Sequence, residues 1–366
     1  MKKNLFLLAI VTLSCVALNA QITAPKYVNE FLQIGVGARS FGMSGAQVAS
    51  VSDVTAGYWN PAGLLQLTDQ WEFATMHNEY FAGIAKYDFI SAGKKVDDKT
   101  AVAGTVIRFG VDDIPNTLDL YDPNGNVDYS RITTFNAADY AFIFSIARDG
   151  FTTKSNFVNQ LKFGGNVKLI YRNIGSFANA FGIGFDLGTQ LKKEHWSAGL
   201  VIRDATSTFN AWMFNLNESA ITVFQNTGNT LPENGLEIAL PRFIAGGAYH
   251  GKWNKKIKGE ELSYLIESNV QLTTDGQRNT LVSMKGLNLD PNLGFELGYA
   301  NTLFLRGGIG NIQRSVDFDN TQYMSFQPNI GVGIRLRKWF LDYALSDVGN
   351  QSDVPYSNVF SLKIKI

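Results

Sequence analysis

From about Trp71 onward, apolar and polar side chains alternate with a period of two, the spacing that sends successive side chains to opposite faces of a strand. In the stretch Leu161 to Arg172 one face carries Leu161, Phe163, Gly165, Val167, Leu169 and Tyr171, and the other Lys162, Gly164, Asn166, Lys168, Ile170 and Arg172. The same rhythm runs through Phe181, Ile183, Phe185 and Leu187, through Leu262, Tyr264 and Ile266, through Leu293 to Tyr299, and through Ile330 to Leu336. One face suits lipid and the other suits water. The pattern predicts strands near 71–79, 84–94, 100–110, 138–148, 160–171, 180–191, 195–204, 243–253, 261–273, 292–299, 302–311, 328–336, 338–346 and 357–366.

A soluble sandwich also alternates, so the connections decide. Counted back from the end, a long link at Ser346–Tyr356 is followed by a tight one at Arg337-Lys338, a long one near Asn311–Phe326 and a tight one at Ala300-Asn301. Then come the long Thr273–Pro291, the short basic Asn254–Glu260, the very long Ala205–Pro241 and the tight Lys192–Glu194, with a less regular link at Asp149–Asn159. Short turns alternating with long loops are what an up-and-down barrel of the outer membrane requires. The expected fold class is therefore all-β, a transmembrane antiparallel barrel of about 14 strands, with Lys162, Asn166, Lys168, Asp186 and Glu267 on its inner face.

Residues 21–70 break the rhythm. Gly35, Gly37, Gly42 and Gly45, with Ala38 and Ala46, leave little side-chain bulk, which suits close packing in a confined space. Asp53 can cap a helical turn through Ala56-Gly57-Tyr58, and Asn60-Pro61 sets a capping side chain before a proline at a first helical position. This segment reads as a plug within the barrel; one or two irregular first strands are the alternative. Residues 1–20 read as a cleavable leader, with Lys2 and Lys3 ahead of an apolar run and a cut before Gln21. Cys15, the sole cysteine, lies in that leader, so the mature chain can form no disulfide and no thiolate metal site.

Composition narrows the partners. With 32 basic and 32 acidic side chains the net charge is zero, which gives no case for nucleic acid. No stretch reaches the length of a membrane helix, so a spanning chain has to close as a barrel.

The run Phe31-Leu32-Gln33-Ile34-Gly35-Val36-Gly37-Ala38-Arg39-Ser40-Phe41-Gly42-Met43-Ser44-Gly45-Ala46, followed by Asp53 to Leu64 with its Trp59-Asn60-Pro61-Ala62-Gly63, resembles the PorV/PorQ family. That family belongs to a wider group of barrels similar to the FadL long-chain fatty acid transporter, which share an Asn-Pro-Ala element in an N-terminal hatch. Leu240-Pro241-Arg242-Phe243 and the barrel rhythm also agree with it. The resemblance implies a 14-stranded barrel in the outer membrane of a Bacteroidetes-type bacterium, associated with type IX secretion. It implies a carrier that accepts the C-terminal signal domain of secreted cargo, or a translocon or surface-attachment subunit, with outer-membrane lipid as the other partner.

Side-chain chemistry offers little catalysis. His77, His195 and His250 lie in or beside strands with no serine motif near them, and read as structural or solvated. Asp112-Asp113 and Asp119 to Asp128 lack the spacing of a calcium loop and read as a solvated, turn-rich loop. Gly164-Gly165 and Gly307-Gly308 have no Lys-Ser/Thr helix after them and read as places of bending or close packing. No cofactor is implied. More telling are Phe209, Trp212, Met213, Phe214 and Phe224 in the supposed outer loop, which are expected either to fold over the mouth or to bind a protein, with Tyr323, Met324 and Phe326 joining the patch. Two functions stand: a non-enzymatic barrel whose outer loops hold an exported partner, or a channel for hydrophobic small molecules whose plug shifts. The polar inner face favours the first.

Overall fold

The computed structural model describes residues 28–68, 71–81, 83–122, 124–150, 161–253, 256–284, 286–316, 321–347 and 357–366. The expected leader at 1–20 and most of the link at Asp149–Asn159 lie outside these residues. The strands are β1 (Glu72–Tyr80), β2 (Ala85–Asp97), β3 (Thr100–Asn116), β4 (Thr133–Asp149), β5 (Leu161–Ile174), β6 (Ala178–Lys193), β7 (Trp196–Arg203), β8 (Thr208–Phe214) and β9 (Gly235–Ala239). They continue with β10 (Arg242–Lys252), β11 (Leu262–Thr273), β12 (Val282–Met284), β13 (Leu287–Tyr299), β14 (Leu303–Val316), β15 (Gln322–Leu336), β16 (Trp339–Ser346) and β17 (Ser357–Lys365).

All belong to one antiparallel sheet that closes where β1 pairs β17, Glu72 opposite Lys365. The closed wall is a 14-stranded barrel, in which β8 continues the line of β7, β9 leads into β10, and β12 is a flap on β13. Closure leaves no unpaired edge, which hydrocarbon would not tolerate. The alternation works as the sequence implied: Phe181, Ile183, Phe185 and Leu187 are exposed outward, while Asp186, Asn166, Lys168 and Glu267 are buried inside. The turn at Ala300-Asn301 has both residues at positive φ (53° and 51°), the twist that a two-residue hairpin needs. The chain is a multi-pass β-barrel of the bacterial outer membrane.

Two expectations about loops are corrected. Ala205–Pro241 is not one long loop, since Thr208–Phe214 and Gly235–Ala239 pair with each other and with β6 as part of the wall. Between them stands the helix α3 (Glu218–Asn226), capped by Asn217, whose side chain accepts from Ala220 N at 2.8 Å. Likewise Tyr323, Met324 and Phe326 lie on β15, opposite β14, which runs on to Val316. In each case the outer ends of the strands stand higher than the apolar rhythm suggested. Above the membrane the outward face meets water, so selection for apolar residues there is lost.

Inside the barrel, residues 28–68 form the plug from short turns: a 3-10 turn at Glu30–Gln33, α1 (Ala38–Gly42), α2 (Ala56–Trp59) and a 3-10 turn at Pro61–Gln66. Most of its apolar side chains are buried, including Val36, Val48, Val51, Val54 and Leu64.

Candidate functional site

The plug turns at Asn60, which is fully buried. Its Oδ1 accepts from Ala62 N at 3.3 Å and so caps the turn that Pro61 opens, while its Nδ2 donates to Val48 O (2.8 Å) within the plug and to Thr189 O (2.9 Å) in the wall. One side chain thus fixes a helical turn and ties it to β6. Pro61 and Ala62 press on glycines of the wall: a Cβ on Gly164 would lie 2.4 Å from Ala62 N, and one on Gly188 2.4 Å from Asn60 Oδ1. Gly63 is needed because its Cβ would meet Val51 O at 2.5 Å. Trp59 donates to Val36 O at 2.9 Å and stands edge-on to Tyr58 with ring centroids 4.9 Å apart. Asp53 does not cap α2 directly. Its carboxylate accepts from Thr55 N (3.0 Å) just ahead of the turn and pairs with Lys363 Nζ (2.5 Å) on β17.

Among its described residues the plug has three charged side chains, Glu30, Arg39 and Asp53, and their ion-pair partners all lie in one half of the wall. Arg39 meets Glu296 of β13 at 2.8 Å; Glu296 also meets Arg306 of β14 (2.6 Å), which meets Asp342 of β16 (2.6 Å). Glu30 lies 3.4 Å from Arg278. Burial alone would raise the Asp53 carboxyl, but Lys363, the Thr55 hydrogen bond and Arg39 outweigh it and hold the group well below the usual carboxylate range. On the β5–β7 side most of the groups that meet the plug are neutral: besides Asn60, Gln190 donates to Ala49 O and Val51 O (3.0 Å each), and Asn166 to Gly57 O (2.9 Å); the charged exception is Arg203 of β7, which donates to Leu32 O and to the Tyr58 hydroxyl (3.2 Å each) and lies over the Tyr58 ring.

Two chambers flank the plug. The outer one has a volume of about 290 Å³ and mixes amides such as Asn269, Gln271 and Asn329 with Ile34, Phe41 and Trp59. Below lies a chamber of about 620 Å³ lined by Arg39, Gln66, His195, His250 and Leu265. A separate cavity of about 20 Å³, room for about one water, lies on the charged side beside Arg39, Asp53, Asp342 and Lys363.

Beside the outer chamber the wall itself is interrupted. Asp204–Ser207 separate β7 from β8, and across this gap the ladder to β6 is reduced to Ala205 N donating to Phe185 O at 2.7 Å. A buried cluster closes it from inside: Lys168 lies 2.6 Å from Asp186 and 2.5 Å from Asp204, and Arg242 and Thr208 also hold Asp204 (3.1 and 2.6 Å). Sequence reasoning placed Lys168 and Asp186 on the inner face but missed Asp204, Thr208 and Arg242. The turn-prone run Asp204-Ala205-Thr206-Ser207 opposite Pro241, which cannot donate to a ladder, was the available signal.

The other candidates scatter. Phe209 and Met213 are exposed on the outward face of β8, while Trp212 and Phe214 stack on the opposite face, with the Trp212 indole donating to Glu237 at 3.1 Å. Phe224 sits on α3. Tyr323, Met324 and Phe326 are exposed on β15, separated from β8 around the wall by β10, β11, β13 and β14. They do not form one patch. His195 and His250 exchange contacts at an inner turn, His250 N donating to His195 O at 2.9 Å, and His77 points outward from β1. Asp122 accepts from Asn124 N and Asn126 N (2.8 Å each), so its loop is closed by its own backbone. Gly164 and Gly308 do pack closely, the first on Pro61 and Ala62 and the second on Met43 and Ser44.

The fold is a closed 14-stranded outer-membrane barrel around an N-terminal plug. Among solved structures the chain is similar to the toluene transporter TodX of Pseudomonas putida (14% identity, 91% of this chain and 98% of that one, TM-score 0.52). It is also similar to the toluene transporter TbuX of Ralstonia pickettii (13% identity, 91% and 98%, TM-score 0.51) and to the monoaromatic hydrocarbon channel CymD (11%, 91% and 98%, TM-score 0.51). At such identities the likeness is one of fold. No known sequence family and no curated protein matches the chain.

Proposed function

We propose that this protein is a plugged, non-enzymatic conduit of the outer membrane for small hydrophobic or amphipathic molecules. The observation that carries the reading is the pair of chambers, of about 290 Å³ and 620 Å³, on the two sides of the plug. The outer chamber has an apolar floor at Ile34, Phe41 and Trp59 for the body of such a molecule and amides for its polar end. The resemblance in fold to hydrocarbon transporters supports the same reading.

A second reading keeps a specific observation in its favour. Tyr121, Tyr129, Tyr323 and Met324 are exposed on the outer rim at 62%, 76%, 49% and 58%, as a docking surface for a type IX cargo domain or translocon subunit would need. One experiment separates the two. Expressed in a host lacking its own hydrophobic-compound channel, the protein is expected to restore growth on a long-chain fatty acid or an aromatic hydrocarbon. Surface-exposed protein without growth, together with co-purification of a secreted protein from the native membrane, would replace the conduit by the docking barrel.

A further inference from the structure

The outward face of the barrel is not equally apolar all the way round. Stepping down one residue at each strand, the registers lead from Thr75 through Gly104, Gly165, Leu200, Gly307 and Tyr343 back to Thr75, so these residues share one height. Below this ring the aromatic girdle is level: Trp71, Trp196, Tyr264 and Trp339 all lie about four residues beneath it. Above it the apolar face differs between sectors. On β4–β6 it climbs to Tyr140, Tyr171 and Phe181, about five to seven residues up, and these rings touch one another.

On β17–β1–β2–β3 it is broken above Phe360, Ile90 and Val106, about one or two residues up, and exposed apolar side chains return only at the β1–β2 turn with Phe81 and Ile84. The next outward positions are His77, Asp88, Glu79 and Arg108, with His77, Glu79 and Asp88 side chains exposed by 53%, 59% and 38%. At about 2.5 Å of height per residue on a tilted strand, the belt is about 25 Å tall on one side and about 15 Å on the other. Within this sector β1 is short, with 9 residues against 17 in both β3 and β4. A level lower girdle with an uneven upper one is not a tilt of the whole barrel.

We propose that the outer leaflet is thinned along β17–β1–β2–β3, where lipid head groups and their water descend to meet His77, Glu79, Asp88 and Arg108. Acyl chains at that height would face charges, which is costly, and matching the low belt costs less than burying them. The occupant is head-group layer rather than protein because the charges are largely engaged with one another. Lys86 lies 3.0 Å from Asp112, Arg108 lies 3.5 Å from both Asp88 and Asp112, and His77 lies 2.7 Å from Asp88 and 3.7 Å from Glu79. Such a ladder leaves a partner little charge to answer, but it accepts water and head groups at every position. The inference stands apart from the conduit reading.

The test uses nitroxide labels, convenient because Cys15 is the sole cysteine and lies ahead of the plug and barrel. His77→Cys and Val167→Cys place labels at the same height on the low and tall sectors; Glu79→Cys and Leu169→Cys form a second matched pair should either of the first fail to fold. In lipid bilayers of short and of long acyl chains, the label at 167 is expected to collide mainly with oxygen. The label at 77 is expected to collide mainly with a water-soluble nickel chelate, reversing the sign of the depth parameter. Oxygen-dominated collisions at both positions would overturn the proposal, and so would a label at 77 shielded from both reagents, as a second copy or another protein would shield it.

Discussion

The two sides of the plug are held in different ways. Toward β5–β7 it is fixed chiefly by shape and by neutral hydrogen bonds, with Arg203 the one charged contact: Pro61 and Ala62 rest on Gly164 and Gly188, and Asn60, Gln190 and Asn166 bond backbone carbonyls. Toward β13–β17 close packing of Met43 and Ser44 on Gly294 and Gly308 is joined by charge, through Arg39–Glu296–Arg306–Asp342 and Asp53–Lys363, with the small cavity beside them. Close packing yields little to a change of conditions, because every contact is short and saturable. Charge pairs yield to pH, to salt where exposed, and to loss of one partner. If the plug moves, the neutral side is its hinge and the charged side its opening edge.

The largest effect is expected from Glu296→Gln. It removes the carboxylate that Arg39 and Arg306 share, leaving Arg39 without its ion-pair partner and Arg306 with Asp342 alone, at a cost of about 3–5 kcal/mol. Thermal unfolding in detergent should fall accordingly, and ion current through the reconstituted barrel should rise; an unchanged current would place the opening edge elsewhere. Asn60→Ala is expected to cost about 1–3 kcal/mol, since it leaves the Val48 and Thr189 carbonyls unmet. With the charged side intact, it should lower the unfolding temperature without raising the current. A current larger than that of Glu296→Gln would reverse the assignment of hinge and edge.

The smallest effect concerns pH. The Asp53 carboxyl is held below its ordinary value, so its share of stability is fully present above the unfolded carboxylate value of about 4 and is lost as pH falls through the lower folded value. Wild-type current should therefore stay low from neutral pH down to about 5 and rise only below about 4. A plug that loosened near pH 6 would show that a group other than Asp53 governs the edge.

Much of this was legible in the sequence, and the failures have a physical cause. All the spanning strands show in the alternation, because period two survives wherever one face meets lipid and the other the lumen. Asn60-Pro61 could be read as a cap because capping is local. The segment from Ala205 to Pro241 misled because the break at Asp204–Ser207 shifts parity: inward positions are odd in β7 (Ser197, Val201, Arg203) and even in β8 (Thr208, Asn210). A strand whose phase slips midway resembles a loop with stray aromatics.

The sequence by itself determined that this chain forms a barrel with a compact plug ahead of it, since strand periodicity, turn chemistry and capping depend on neighbours within a few positions. Only the tertiary structure decided which wall charges meet Arg39 and Asp53, where the wall is broken and sealed by Lys168, Asp186, Asp204 and Arg242, and that the apolar belt is low along the closing seam. Those features join residues as far apart as Asp53 and Lys363, and their meeting depends on strand register and barrel closure, which no short window of sequence encodes.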